Sequence, residues 1–210
     1  MPPSSIYLCW RHKPLKVKKS CIRSSTAIGF ILEEFIYQKL KNVLCGIDDW
    51  QVLRDHYTTT KSSYDFLITS KKYDLLINVK TENKKSKNNA IAAIKQLYND
   101  YREYSLNEKD FYFVVVKIRY EIDRKNSAKN IDYLDKINII NFEIFTLEEI
   151  SFYKGFKQDH RNWGEEYKSS SGRLIISEKF FNDNKLTEFD EISNEKTLSF
   201  ITKMFLKQKK

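Results

Sequence analysis

The sequence predicts an α/β fold, an α/β/α sandwich in which helices flank a mixed central sheet. Three observations carry this expectation. Apolar residues recur at helical spacing over residues 27–44 and again over 90–104. Between and after those stretches, side chains alternate at period 2, the signature of strands with one face buried. Phe111-Tyr-Phe-Val-Val-Val116 is β-branched and aromatic without alternation, as expected of a strand buried on both faces at the centre of a sheet.

The chain has 210 residues, 41% hydrophobic and 14% aromatic, enough for one domain with a sizeable core. No repeat, low-complexity linker or shift in composition divides it. No apolar run approaches the roughly 20 residues of a bilayer-spanning helix. The basic N-terminus has no apolar signal core after it. Cys9, Cys21 and Cys45 are odd in number and lack metal-ligand spacing, which points to reduced thiols in a cytoplasmic protein. His12, His56 and His160 are scattered, which argues against a zinc site. A net charge of +9 implies an anionic partner, nucleic acid first.

Residues 1–24 carry Arg11, Lys13, Lys16, Lys18, Lys19 and Arg23 with no acid, and read as a basic arm suited to phosphates. Ser25 or Thr26 caps a helix running from Ala27 to about Leu44, with Gly29, Leu32, Ile36, Leu40 and Val43 on one face. Glu33 shares that face, whereas Glu34 turns outward. Trp50–His56 reads as a strand and Tyr57–Ser63 as a polar connection. Ser63–Lys80 reads as a hairpin with a polar turn at Ser70–Tyr73. Tyr64, Phe66 and Ile68 face one way, Asp65 and Leu67 the other. In the return strand Leu75, Ile77 and Val79 oppose Asp74, Leu76, Asn78 and Lys80. Thr81–Asn89 is a basic loop containing Lys84, Lys85 and Lys87, and Asn89 caps a second helix from Ala90 to Tyr104. Phe111–Tyr120 and Ile137–Phe145 are strands, and Leu147–Tyr153 is a short helix. Beyond this core of 25–155, Phe156–Leu174 is polar, aromatic and basic without periodicity. Its Arg161, Asn162, Lys168 and Arg173 are side-chain types that read base edges and grip phosphates. Glu195 to about Lys207 is an amphipathic helix, so 156–210 forms an extension of the same domain.

The hairpin carries the chemistry. In an antiparallel register, Asp65 lies near Asn78 and Lys80 on one face. A carboxylate there can hold Mg²⁺, which polarises a phosphate and acidifies a bound water. A lysine two residues along can offset charge on a phosphorane-like transition state.

At these residues the chain resembles the PD-(D/E)xK nuclease superfamily, whose motif is an acid, a gap, then an acid, any residue and a lysine on a hairpin. Here it reads Asp65…Asn78-Val79-Lys80, with Asn78 where an acid is expected. Gly29-x-x-x-Glu33 matches a first-helix pattern that directs a carboxylate to the metal in that family. The resemblance implies a restriction-endonuclease-like sheet with a C-terminal recognition extension. It implies Mg²⁺, replaceable by Mn²⁺, held by Asp65, Asn78, the Val79 carbonyl and Glu33, with Lys80 positioning water and no small-molecule cofactor. The implied function is a type II restriction endonuclease, a homodimer cutting double-stranded DNA at a short specific sequence and not acting at a membrane. Two alternatives stay open. One is a DNA-binding protein on the same fold with a decayed site, which the neutral Asn78 favours. The other is a nuclease acting on junctions or repair intermediates.

Overall fold

In a computed structural model, residues 15–18, 25–47, 49–54, 62–123, 134–150, 157–160, 172–183 and 194–206 are described. Arg161, Asn162, Lys168, Cys9, Cys21 and all of the basic arm except residues 15–18 lie outside them.

The architecture is α/β, a mixed sheet covered by helices on both faces. The chain runs β1 (Leu15–Lys18), α1 (Ser25–Leu44), β2 (Gln51–Leu53), β3 (Phe66–Thr69) and β4 (Tyr73–Asn83). It continues through β5 (Ala90–Ala93), α2 (Ile94–Tyr104), β6 (Asp110–Asp123) and β7 (Leu134–Thr146). It ends with β8 (Lys157–His160), β9 (Arg173–Ile176), α3 (Glu178–Asp183) and α4 (Asn194–Leu206). Six strands form the main sheet in the order β1-β7-β6-β4-β3-β2. Of these pairings only β4–β6 is parallel. A parallel pair requires a crossover, and α2 supplies it. The doubly apolar β6 lies between β7 and β4, at the interior of the sheet as its composition predicts.

Alternation along β4 and β6 divides the core in two. Leu75, Ile77 and Val79 face the same way as Val114, Val116 and Ile118, and α1 packs there through Ile28, Leu32 and Ile36. Leu76, Phe113 and Val115 face the other way, under Leu97 and Tyr101 of α2 and Ile201 and Met204 of α4. Each large apolar side chain in these layers is worth roughly 1.5–3 kcal/mol of burial. Gly29 lets α1 come close to β4: a Cβ there would lie 3.4 Å from Thr81 Oγ1. Tyr98 of α2 and Phe205 of α4 stack with ring centroids 4.3 Å apart, so the C-terminal helix packs on the core.

Several local expectations are corrected. Ala90–Ala93 is a strand, because it pairs with β9 (Ala90↔Ile175, Ala93↔Arg173), and α2 therefore starts at Ile94 without an Asn89 cap. Part of the segment expected to be an irregular loop after residue 156 is strand: β5, β9 and β8 form a second sheet. Leu15–Lys18 of the arm pairs with β7. Residues 147–150 form a turn rather than helix, because the Glu148 carboxylate is drawn inward to the Tyr101 hydroxyl and the Phe113 N–H. Tyr64 precedes β3 and packs with Tyr104 rather than beside Phe66. On α1, Val43 is exposed and Ile28 is buried instead.

Candidate active site

The hairpin fixes the site. Its register pairs Phe66 with Ile77 and Leu67 with Leu76, which sets Asp65 opposite Asn78. The Asp65 N–H donates to Ile77 O at 2.8 Å, and the Val79 N–H donates to Asp65 Oδ2 at 2.6 Å. The first aspartate is thus clamped to the second half of the motif by the backbone. Period 2 puts Asn78, Lys80 and Glu82 on the face that Asp65 shares, and turns the Val79 side chain into the α1 core.

Asn78 is 3% exposed. Its Nδ2 donates to the Ser63 carbonyl at 2.7 Å. A carbonyl only accepts, so the amide's orientation is set, and Oδ1 points away with no hydrogen bond from any described residue. A buried oxygen left so is normally satisfied by water or a cation.

Burial pushes the Asp65 carboxyl up, against the opposing pull of Lys80, the Val79 N–H and Arg54. Burial likewise pulls Lys80 down, Asp65 raises it, and Arg173 lowers it further. Arg173, exposed at the start of β9, is therefore a neighbour of the site although it lies almost a hundred positions on. Glu33 comes from α1, on the other face of the sheet, yet senses both Asp65 and Lys80. Its carboxyl is pushed up to about 7, first by burial and then by Asp65, against Arg54 and Lys80.

The Arg54 guanidinium donates to Glu33 at 2.8 Å and also to Glu34. It lies 4.4 Å from the Tyr37 ring centroid. Arg54 thus supplies a cation next to Glu33. Because Glu33 titrates at about 7 in the fold against 4.5 as a free side chain, folding favours its protonated form. Stability is lost as pH rises from about 4.5 through about 7. Glu33→Gln is expected to raise the melting temperature at about pH 8 and to change it little at about pH 4.5. Paired thermal melts check this, and a larger loss at high pH would mean that the Arg54 pair dominates.

Beyond Lys80 the same face continues into an ionic cluster. Glu82 is buried and meets Lys117 at 3.1 Å and Arg119 at 2.6 Å. Its carboxylate also accepts from the Asn88 N–H at 3.1 Å. Parallel pairing lines up Lys80 with Lys117 and Glu82 with Arg119. Lys117 also donates to Asn89 Oδ1 at 2.8 Å and sits 3.9 Å from the centroid of Phe181. Lys84, Lys85 and Lys87 are exposed. Lys84 pairs with Glu121, and Lys87 with Glu178.

No family model and no curated protein matches the chain.

Of the residues singled out from sequence, the structure brings together Asp65, Asn78, Lys80, Glu33 and, at the edge, Arg173. Arg161, Asn162 and Lys168 lie outside the described residues. Among the described residues, no three His, Cys, Asp or Glu side chains converge as a metal-holding group. An oxygen set of Asp65, Asn78 and Glu33 is nevertheless of the type Mg²⁺ accepts, since that ion commonly takes one or two carboxylates and completes its shell with water. Sequence reading missed Arg54, Ser63 and Asp100. Only the buried position of Asp100 on the apolar side of α2 offered a signal. Among the described residues, no helix is long and apolar enough to cross a membrane.

Proposed function

We propose that this chain is a Mg²⁺-dependent nuclease of the PD-(D/E)xK type, acting on double-stranded DNA, with Asn78 in place of the usual second acid. The observation that carries the reading is the desolvated trio on one hairpin face: Asp65 clamped to the Val79 N–H, Asn78 with its orphaned Oδ1, and Lys80 two residues on. Asp65 and Asn78, with the Val79 carbonyl, would hold the metal, and Glu33, reaching the site electrostatically from the α1 side, would support the metal or its waters. Bound there, the ion would supply Lewis-acid activation of the phosphate and of a water. Lys80 then offsets the charge that accumulates on the phosphate oxygens. Lys84, Lys85, Lys87 and Arg173 grip backbone phosphates, and Arg161, Asn162 and Lys168 add contacts to bases and backbone. The finer reading is a type II restriction endonuclease working as a homodimer on a palindromic site.

A second reading, a DNA-binding protein that does not cleave, draws on two features: Asn78 brings no charge, and Glu33 already has a cation in Arg54. Digestion of a mixed-sequence plasmid with Mg²⁺ or Mn²⁺ separates the readings. Discrete fragments from the wild type and none from Asp65→Ala are expected. Intact plasmid with salt-sensitive binding would favour the second reading, and cleavage gained by Asn78→Asp would then locate what was lost. Neither cleavage nor binding would overturn both.

A further inference from the structure

Asp100 is a buried acid outside the motif. It sits on α2, is 6% exposed, and has no cation at ion-pair distance among the described residues. An unpaired buried carboxylate is costly unless hydrogen bonds satisfy it. Here Oδ2 accepts from the Ser63 N–H at 2.6 Å and from Ser63 Oγ at 2.5 Å. Ser63 is itself buried and lies two residues before Asp65. Its carbonyl is the acceptor for Asn78 Nδ2. A continuous chain of hydrogen bonds therefore runs from helix α2 through Ser63 to the amide whose other end, Oδ1, has no partner among the described residues.

We propose that Asp100 is a positioning residue for the metal site: by holding both donors of Ser63 it fixes the carbonyl that turns Asn78 Oδ1 into the site. The inference rests on the metal-site reading proposed above. The helix contributes no ligand. It determines instead which end of the Asn78 amide a cation meets. An aspartate in place of Asn78 would present oxygen in either orientation. An asparagine does so only if its NH₂ group is held elsewhere, and Ser63 O is where it is held.

The test uses the full chain and compares wild type, Asp65→Ala, Asp100→Asn and Ser63→Ala. Mg²⁺ and Mn²⁺ affinity is read by calorimetry, and the Asn78 side-chain NH₂ resonance by ¹⁵N NMR in metal-free protein. Asp100→Asn is expected to weaken metal binding about 10-fold or more, as loss of an orienting partner does elsewhere. It is also expected to shift or broaden the Asn78 NH₂ signal. An unchanged affinity, or an unchanged Asn78 signal, overturns the inference while leaving the metal site standing. If the wild type binds neither ion, the proposed metal site fails, and this inference fails with it. Should Asp100→Asn not fold, Ser63→Ala decides: it removes only the Oγ donor and should move both readouts in the same direction by a smaller factor, and no movement overturns the inference.

Discussion

Lys80→Ala is expected to slow DNA cleavage by about 10²–10³-fold, the usual loss when one preorganised charge at a reacting phosphate is removed. Metal affinity should stay the same or rise. The reason for the split is electrostatic. Lys80 lies on the Asp65 face of the hairpin, where burial pulls its pKa below the ordinary lysine value while the fields of Asp65 and Glu33 oppose that pull. Removing the ammonium takes a positive charge away from the proposed ligands and so cannot weaken a cation site through its field. It does take away the group that meets the charge building up on phosphate. Single-turnover cleavage at saturating Mn²⁺, with a parallel metal titration, checks both halves. Wild-type cleavage by Lys80→Ala would place the chemistry away from this hairpin. Lys80→Arg is a poor rescue, since a planar fork does not replace a compact ammonium in a buried position.

The largest loss of stability is expected from Glu82→Ala. Glu82 receives Lys117, the Nε and Nη2 of the Arg119 guanidinium and the Asn88 N–H. Burial alone would raise its carboxyl, but those partners bring it below the ordinary value of 4.5. Its contribution is therefore present above about pH 4.5 and lost as pH falls through the lower folded value. Among the described residues, truncation leaves Lys117, whose side chain is 8% exposed, with an amide oxygen and an aromatic face alone. Stranding one charge of a buried pair costs about 3–5 kcal/mol. In a chain of this size that corresponds to roughly 6–20 °C in melting temperature. Glu82→Ala combined with Lys117→Met should lose less than Glu82→Ala alone, because the stranded charge is gone. A melting temperature within a degree or two of wild type would mean that water reaches Lys117 freely.

The parts of the fold that were legible in the sequence are those whose signals are local. Period 2 over Phe66–Ile68 and Leu75–Val79, with a polar Ser70–Tyr73 between them, is enough to place the hairpin. The unbroken apolar run of Phe111–Val116 is enough to place β6 inside the sheet. Ala90–Ala93 shows where locality ends. Alanine and isoleucine at helical spacing read as helix, but a strand eighty or more residues away captures their backbone, and that partner leaves no trace in the local pattern. The site divides the same way. Asp65, Asn78 and Lys80 are readable because one hairpin orders all three. Arg54 meets Glu33 across 21 positions and Asp100 meets Ser63 across 37, so neither partnership could be inferred from spacing. Residues 147–150 misled for a different reason (151–153 lie outside the described residues): Glu148 looks like a solvated helix residue, and the buried hydroxyl of Tyr101 explains why it turns inward.

The four-residue turn from Ser70 to Tyr73 constrains how this chain can change over generations. Lys71 and Lys72 are exposed, and their side chains can be exchanged freely. The length of the turn cannot. Deleting one residue there would advance β4 by one step against β3, and every side chain after it would change faces. Asn78 and Lys80 would enter the apolar layer under α1, and Val79 would replace them beside Asp65. Substitutions at the turn can therefore accumulate, while single-residue insertions and deletions are purged. Related chains should vary at Lys71 and Lys72 and agree in the number of residues in the turn.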